Sequence, residues 1–327
     1  MKLHARVAEI PGARVIYESF FGSPGSWLYR RPTLDWLSDP SLARRLPWLY
    51  RCFAKYCAAQ SQDPVCAEAL LRCIIALYSR FSKSDHVIPL QIGTFTLFLD
   101  LTDPRFLQVP NELTGLTRVL PTFLKAGDTF IDVGANHGTF SIVASPLVGK
   151  EGLVIAIEPQ PRLAGLLKRS LAEGPAEFEV HQLACGDVSK KIEFYLPSAT
   201  SGSAGRFVRY SAISDHRTIE VAMRPIDDVI DWRRLRGKTL IKVDVEGSEL
   251  AFLLGARQLI HASAPVLLME MNPVAMSAAG TSKTKLVQTL LDFGYDRFVT
   301  QQELQRPRPL TDQTVEPDLI LLPASFP

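Results

Sequence analysis

The thirteen residues from Thr129 to Ser141, TFIDVGANHGTFS, constrain this chain more than any other stretch. An apolar run (Phe130, Ile131, Val133) reaches Asp132 and Gly134, small and polar residues follow, and Gly138 and Thr139 open a helix. A buried strand that feeds a glycine-containing turn and then a helix N-terminus is the arrangement with which open α/β sheets build nucleotide sites. The sequence downstream reads as completing such a site, and most of what precedes it reads as an added element.

Downstream, strand and helix patterns alternate. Leu153 to Ile157 is a buried-strand run ending in Glu158-Pro159, and Leu163, Leu166, Leu167 and Leu171 mark an amphipathic helix closed by Gly174. Phe178 to Ala184 reads as the third strand, ending in Cys185-Gly186-Asp187, with a short strand at Ile192 to Leu196. Residues 197–217, PSATSGSAGRFVRYSAISDHR, read as a long mobile loop, a feature that is more often functional than not. A strand (Thr218 to Met223) and a short helix (Ile226 to Trp232) precede the fourth core strand, Thr239 to Val245, which runs into Glu246-Gly247-Ser248-Glu249 and a helix. Pro265 to Met269 is the fifth, ending in Glu270-Met271-Asn272-Pro273; a helix from Lys283 to Phe293 stops at Gly294. Tyr295 to Thr300 and Asp318 to Leu322 form a closing antiparallel pair around a Pro-rich polar loop. Such alternation implies a mostly parallel sheet covered on both faces.

Upstream, two domains of unequal character are expected: residues 1–86 as a helical extension and 87–327 as the main domain. The extension holds three of the four Trp and four of the five Cys, with helical spacing from Ser41 to Gln60 and a second helix begun by Asp63-Pro64. These helices could form a lid, a dimer surface or a membrane-leaning patch; packing on the main domain or on a second copy is favoured, making a homo-oligomer possible. Val87 to Leu101 alternates and reads as a strand pair turning near Gly93, and a helix is expected from Glu112 to Leu124. The cysteines (52, 57, 66, 73 and 185) are odd in number and lack a CxxC, so neither a disulfide framework nor a zinc ribbon is implied. The expected setting is a reducing cytoplasm, with no signal peptide and no membrane span. A net charge of +2 gives no sign of a nucleic-acid partner.

Ligands of such sheets bind beyond the C-terminal ends of the strands, and here those ends are acidic throughout. The first offers Asp132, Gly134, Asn136 and Gly138, the second Glu158, the third Asp187, the fourth Asp244 and Glu246, the fifth Glu270 and Asn272. Carboxylates at a buried edge are costly unless a ligand or partner compensates them. A dinucleotide site needs G-x-G-x-x-G so that backbone can lie against a pyrophosphate; here the middle glycine is Asn136, and Asp132 would face the phosphates. S-adenosylmethionine has no phosphate and carries an ammonium and a sulfonium, which acidic residues favour. Glu158 then suits a pair of ribose hydroxyls as a two-oxygen acceptor.

Taken in order, DVGANHGTFS, VIAIEPQP, LACGD, KVDVEGSEL with LLGA, and LLMEMNP resemble the FkbM-type S-adenosylmethionine-dependent methyltransferases, with RPIDDVI also in keeping. The resemblance runs from about Val87 to the C-terminus and is best between Gly127 and Asn272; Pro146, expected to interrupt the first helix, and residues 1–86 depart from it. It implies a Rossmann-like class I methyltransferase fold, a seven-stranded mostly parallel sheet with the last strand antiparallel. It also implies that Asp132, Gly134, Asn136 and Gly138 line the methionine portion of S-adenosylmethionine, that Glu158 holds the ribose and Asp187 the adenine amino group. The reaction it implies is O-methylation of a hydroxyl on a sugar, glycan or other small-molecule acceptor; N-methylation, or a lapsed domain that only binds, are the alternatives.

Removing the acceptor proton needs a base, for which Asp244, Glu246, Glu270 and His137 stand at the strand ends. Asp244 or Glu246 is favoured, while Glu249 reads as a first-turn helix acid and His137 equally as a solvated turn residue. Asp244, Glu270 and Asn272 could alternatively present oxygens to Mg²⁺, though no metal is expected. Arg206, Arg209, His216 and Arg217 in the long loop read either as solvated or as a clamp for an acidic acceptor.

Overall fold

The computed structural model describes residues 87–92, 95–100, 103, 105, 109–197, 201, 204–207, 216–314, 316 and 318–326. The N-terminal helices expected in residues 1–86, four of the cysteines and Arg209 lie outside them. Two strands, β1 (Val87–Ile92) and β2 (Phe95–Asp100), form an antiparallel hairpin in which Ile92 opposes Phe95; the turn expected near Gly93 lies outside the described residues. The helix α1 (Val109–Phe123) follows.

The main sheet is built from β3 (Thr129–Val133), β4 (Leu153–Ile157), β5 (Glu177–His181), β9 (Thr239–Val243), β10 (Val266–Glu270), β11 (Arg297–Thr300), β12 (Glu303–Pro309) and β13 (Asp318–Leu322). Their order across the sheet is β12-β11-β13-β10-β9-β3-β4-β5. The five strands from β10 to β5 pair in parallel, and β13 runs antiparallel to β10 and to β11. The seven expected strands are present with the last antiparallel, and an eighth, β12, arises from the Pro-rich segment read as loop. Arg306, Pro307, Arg308 and Pro309 suit an outer strand, where missing N–H groups and charge discourage further pairing.

Strands β3, β4 and β9 are buried along their whole length because helices cover both faces. Side-chain alternation divides them between two cores. Phe130, Val154, Ala156 and Leu240 pack with α1, α2 (Thr139–Val148) and α3 (Pro161–Leu171). Ile131, Val133, Ile155, Ile157, Ile241 and Val243 pack on the other face with α4 (Glu249–Gly255), α5 (Arg257–Ser263), α6 (Pro273–Ala278) and α7 (Lys283–Asp292). Pro146 does not interrupt α2: it sits inside the helix, which continues to Val148. The helix expected from Ile226 to Trp232 is instead two 3₁₀ turns, Ile226–Asp228 and Trp232–Arg234.

The expected third strand is divided. β5 ends at His181, and β6 (Ala184–Cys185) leaves the main sheet to join β7 (Lys190–Pro197) and β8 (His216–Arg224) in a second sheet ordered β6-β8-β7. This small sheet has its own core of Ile192, Phe194, Ala204, Val221 and Met223. Ser201 and 204–207, from the segment between β7 and β8, fold against the ends of the main strands. Among the described residues no helix is long and apolar enough to cross a membrane.

Candidate active site

The turn after β3 is held by its neighbours before any ligand enters. The N–H groups of Gly134 and Ala135 both reach the Ile157 carbonyl at 3.0 Å. Gly134 has φ +78° and lies so close to Asp244 that a Cβ would collide with the Asp244 carbonyl oxygen. Glycine is needed there twice over, for the left-handed backbone and for the absent side chain. Asn136 (φ +52°) and Glu246 (φ +56°) hold the same left-handed conformation with side chains, a strain that persists where the surroundings over-determine the turn.

Glu158, one residue beyond β4, is 3% exposed. Its two carboxylate oxygens accept from different backbone groups, Oε2 from the Asn136 N–H and Oε1 from the Gln160 N–H, each at 2.8 Å. Burial raises its carboxyl from 4.5 to about 7, against the pull of those two N–H donors in the other direction. Each oxygen has acceptor capacity beyond its one backbone donor, and Glu158 lines the cleft described below.

Asn136 is a second node. Its Nδ2 donates to Ser201 Oγ at 2.9 Å, its Oδ1 accepts from the His137 N–H at 2.9 Å and lies 2.8 Å from His137 Nδ1. His137 is buried, not solvated, with Nε2 3.8 Å from Asp103 Oδ2. Asp103 also accepts from the Ser201 N–H at 3.1 Å. Asp103 and Ser201 are thereby tied to each other and to the Asn136-His137 turn.

A cleft opens beyond the strand ends. Gly134, Asn136, Glu158, Asp244 and Glu246 line it, while Cys185, Ile192, Phe194 and Met223 give it an apolar wall at the second sheet. Arg105 and Arg206 also line it. Arg206 stacks on Phe207 and reaches Met223 Sδ at 4.0 Å. The Cys185 thiol is buried and pushed up to about 12 by desolvation, so it is an apolar wall residue and not a nucleophile.

The other candidates fall outside the lining. Asp132 lies fully buried beneath the turn, with Ser141 Oγ donating to its Oδ2 at 2.7 Å. Burial raises its carboxyl, opposed by Lys242. Gly138 (φ +85°) caps α2 and abuts Leu167 of α3. Asp187 is exposed and follows β6 into the second sheet; the structure places Cys185, two residues earlier, at the cleft instead. Glu270 joins Asp244 and Glu246, side-chain oxygens of all three lying within 4.8 Å of one another. The Oδ1 of Asn272 is engaged in capping α6, accepting from the N–H groups of Val274 and Ala275. Glu249 is indeed the first residue of α4, but it is buried and turns back to accept the Gly247 N–H at 3.1 Å and the Val245 N–H at 3.4 Å. It shapes the DVEGSE turn from behind.

One residue of the site escapes sequence reasoning although its signal was there. Lys242 is the charged member of a strand buried on both faces, and it stands opposite Asp132 in the β3–β9 register. Its Nζ donates to the Gly134 carbonyl at 2.6 Å and lies 3.6 Å from Asp132 Oδ1 and 3.4 Å from Asp244 Oδ2. Burial opposes its charge, but Asp244 and Asp132 outweigh that and hold its pKa above the ordinary lysine value. Ser201 and Arg105 carried no such signal, since only the chain's return over the strand ends brings them to the cleft.

No curated protein matches the chain in sequence. Among solved structures it is similar to a methyltransferase FkbM from Methylobacillus flagellatus KT, with 18% identity, 66% of this chain and 54% of that chain covered, and a TM-score of 0.37. It is also similar to M. jannaschii TYW2 in complex with AdoMet (12% identity, 74% and 85% covered, TM-score 0.38). A third is the Pyrococcus abyssi tRNA (uracil-54, C5)-methyltransferase in complex with S-adenosyl-L-homocysteine (13% identity, 73% and 48% covered, TM-score 0.34). The chain thus spans about half the length of the Methylobacillus protein. The model of the methyltransferase FkbM domain matches residues 132–297, from the aspartate beneath the glycine turn to the first residue of β11 and just over half of the chain. On that match the chain belongs to the methyltransferase FkbM domain family.

Proposed function

We propose that this protein is an S-adenosylmethionine-dependent methyltransferase that methylates a hydroxyl of a sugar, glycan or other small-molecule acceptor. The observation that carries the reading is Glu158, a buried carboxylate that faces the cleft with both oxygens already fixed by backbone donors. A rigid two-oxygen acceptor fits a vicinal ribose diol, and acids at Glu158, Asp244 and Glu246 fit a cationic cofactor better than a pyrophosphate. When bound, S-adenosylmethionine supplies a methyl group on a sulfonium, whose leaving group needs no further activation.

The chain's own residues then have two tasks, orientation and proton removal. Gly134, Asn136 and Glu158 bind and orient from the donor side, backed by Asp132 and Gly138. Asp244 and Glu246 face the cleft on the other side, where either carboxylate can take the proton of an acceptor hydroxyl, with Glu270 beside them. The apolar wall of Ile192, Phe194 and Met223 supports a flat ring and keeps water away. A net charge of +2 lacks the basic surplus with which proteins bind nucleic acid and supports a small acceptor.

Isothermal titration with S-adenosylhomocysteine and, separately, NAD⁺ tests the reading. Binding of the first and not the second is expected; binding of neither sinks it.

A further inference from the structure

An ammonium in the middle of a strand buried on both faces needs a reason. For stability alone, a well-packed apolar side chain of similar volume usually serves as well as a buried ion pair or better. Lys242 is 6% exposed and stands among Leu240, Ile241 and Val243, all buried. Its three donors are directed at two segments of the site, Gly134 and Asp132 from the β3 side and Asp244 just past β9.

The groups around it come from every element nearby. Asp132 faces it from β3, Asp244 from the turn after β9, and the Phe140 ring from α2, 5.4 Å from Nζ. Glu158 at the end of β4 feels its charge, and Arg105 of the β2–α1 connection opposes it. A small cavity is lined by Lys242, His137 and Thr139 together with Arg105 and Asn136, which also line the main cleft. The ammonium is therefore not part of the cleft lining but touches two residues that are, Gly134 and Asp244.

We infer that Lys242 is a positioning residue: one ammonium ties the Gly134 turn, which carries the methyl donor, to Asp244, which faces the acceptor, and so fixes the spacing between the two halves of the cleft. This rests on the proposed methyltransferase reading. Without the ammonium, the Gly134 carbonyl and the Asp244 carboxylate, 2.6 and 3.4 Å from the same Nζ, are two negative poles that no longer share a cation. They move apart, and the donor turn loses the shape that Glu158 and Asn136 hold on its other side.

A double-mutant cycle read by S-adenosylhomocysteine titration at pH 8 tests this, using wild type, K242M, D244N and K242M/D244N, with an unfolding curve for each. Lys242→Met is expected to weaken binding by at least about tenfold when Asp244 is intact and by less than about threefold in the D244N background, since the repulsion needs the carboxylate. Equal losses in both backgrounds, as a packing role gives, or no loss in either, overturn the inference. Should K242M not fold, the ¹⁵Nζ resonance of Lys242 in the wild-type protein is followed instead. A shift on saturation with S-adenosylhomocysteine is expected, and an unmoved resonance overturns the inference. Failure of wild type to bind S-adenosylhomocysteine is a different result: it removes the methyltransferase reading and this inference with it.

Discussion

Glu158→Gln separates what the site requires from what the fold prefers. In the folded chain burial raises the Glu158 carboxyl from 4.5 to about 7. The folded state therefore binds this proton more tightly than the unfolded chain does. Its stabilising effect is complete below pH 4.5 and is lost as the pH rises through about 7. Above that, the protein holds a desolvated carboxylate at a cost of about 3 kcal/mol, most of which develops between pH 5 and pH 8. Glutamine does not titrate. It can still accept one of the two N–H groups that Glu158 serves, from Asn136 and Gln160, but turns an NH₂ toward the other, at about 1–3 kcal/mol independent of pH.

Urea unfolding from pH 5 to pH 8 reads both effects. Wild-type stability is expected to fall by about 2–3 kcal/mol relative to the variant across that range. Binding moves the other way: the variant is expected to lose at least about tenfold in S-adenosylhomocysteine affinity, because the charged acceptor proposed for the ribose diol is gone. The wild-type affinity itself weakens about tenfold from pH 8 to pH 6, as the carboxylate must first be freed of its proton. Parallel stability curves for wild type and variant would refute the buried, proton-retaining Glu158.

Other positions give sharper single readings. Gly134→Ala places a Cβ against the Asp244 carbonyl at φ +78° and is expected to cost at least about 2 kcal/mol and to abolish S-adenosylhomocysteine binding, by denaturation and calorimetry. Ser141→Ala removes the hydroxyl that donates to buried Asp132; a loss of about 1–3 kcal/mol, measured by denaturation, is expected. Asn272→Ala removes the cap of α6 and should lower stability by about 0.5–2 kcal/mol while leaving S-adenosylhomocysteine affinity unchanged, because its oxygen serves Val274 and Ala275 and not the cleft.

Much of this architecture is local and so was legible in the residues. The apolar run of β3, the left-handed Gly134 and Gly138 and the acid after β4 are written within a few positions of one another, and turn chemistry of that kind is short-range. The strand–helix alternation likewise identifies a parallel sheet, since only crossover helices can return the chain to the same end.

Where local pattern misled, a longer-range partner decided. Cys185 and Asp187 follow a strand run whose periodicity gives no sign that β6 would leave the main sheet; pairing with β8, nearly forty residues on, takes it away and leaves Asp187 exposed. Asn272 looks like a ligand by its place after β10, yet the helix that begins there claims its oxygen. Ser201 and Asn136 are 65 residues apart in the sequence, and no local pattern relates them. Lys242 is the plainest division of labour. The sequence by itself places a lysine inside a buried strand and thereby demands a counter-charge; which one, and to what end, depends on β9 lying beside β3 in the register that sets Lys242 against Asp132 and brings Asp244 to the same cleft. Cross-strand partners are neighbours in space and not in sequence, and only the tertiary structure can name them.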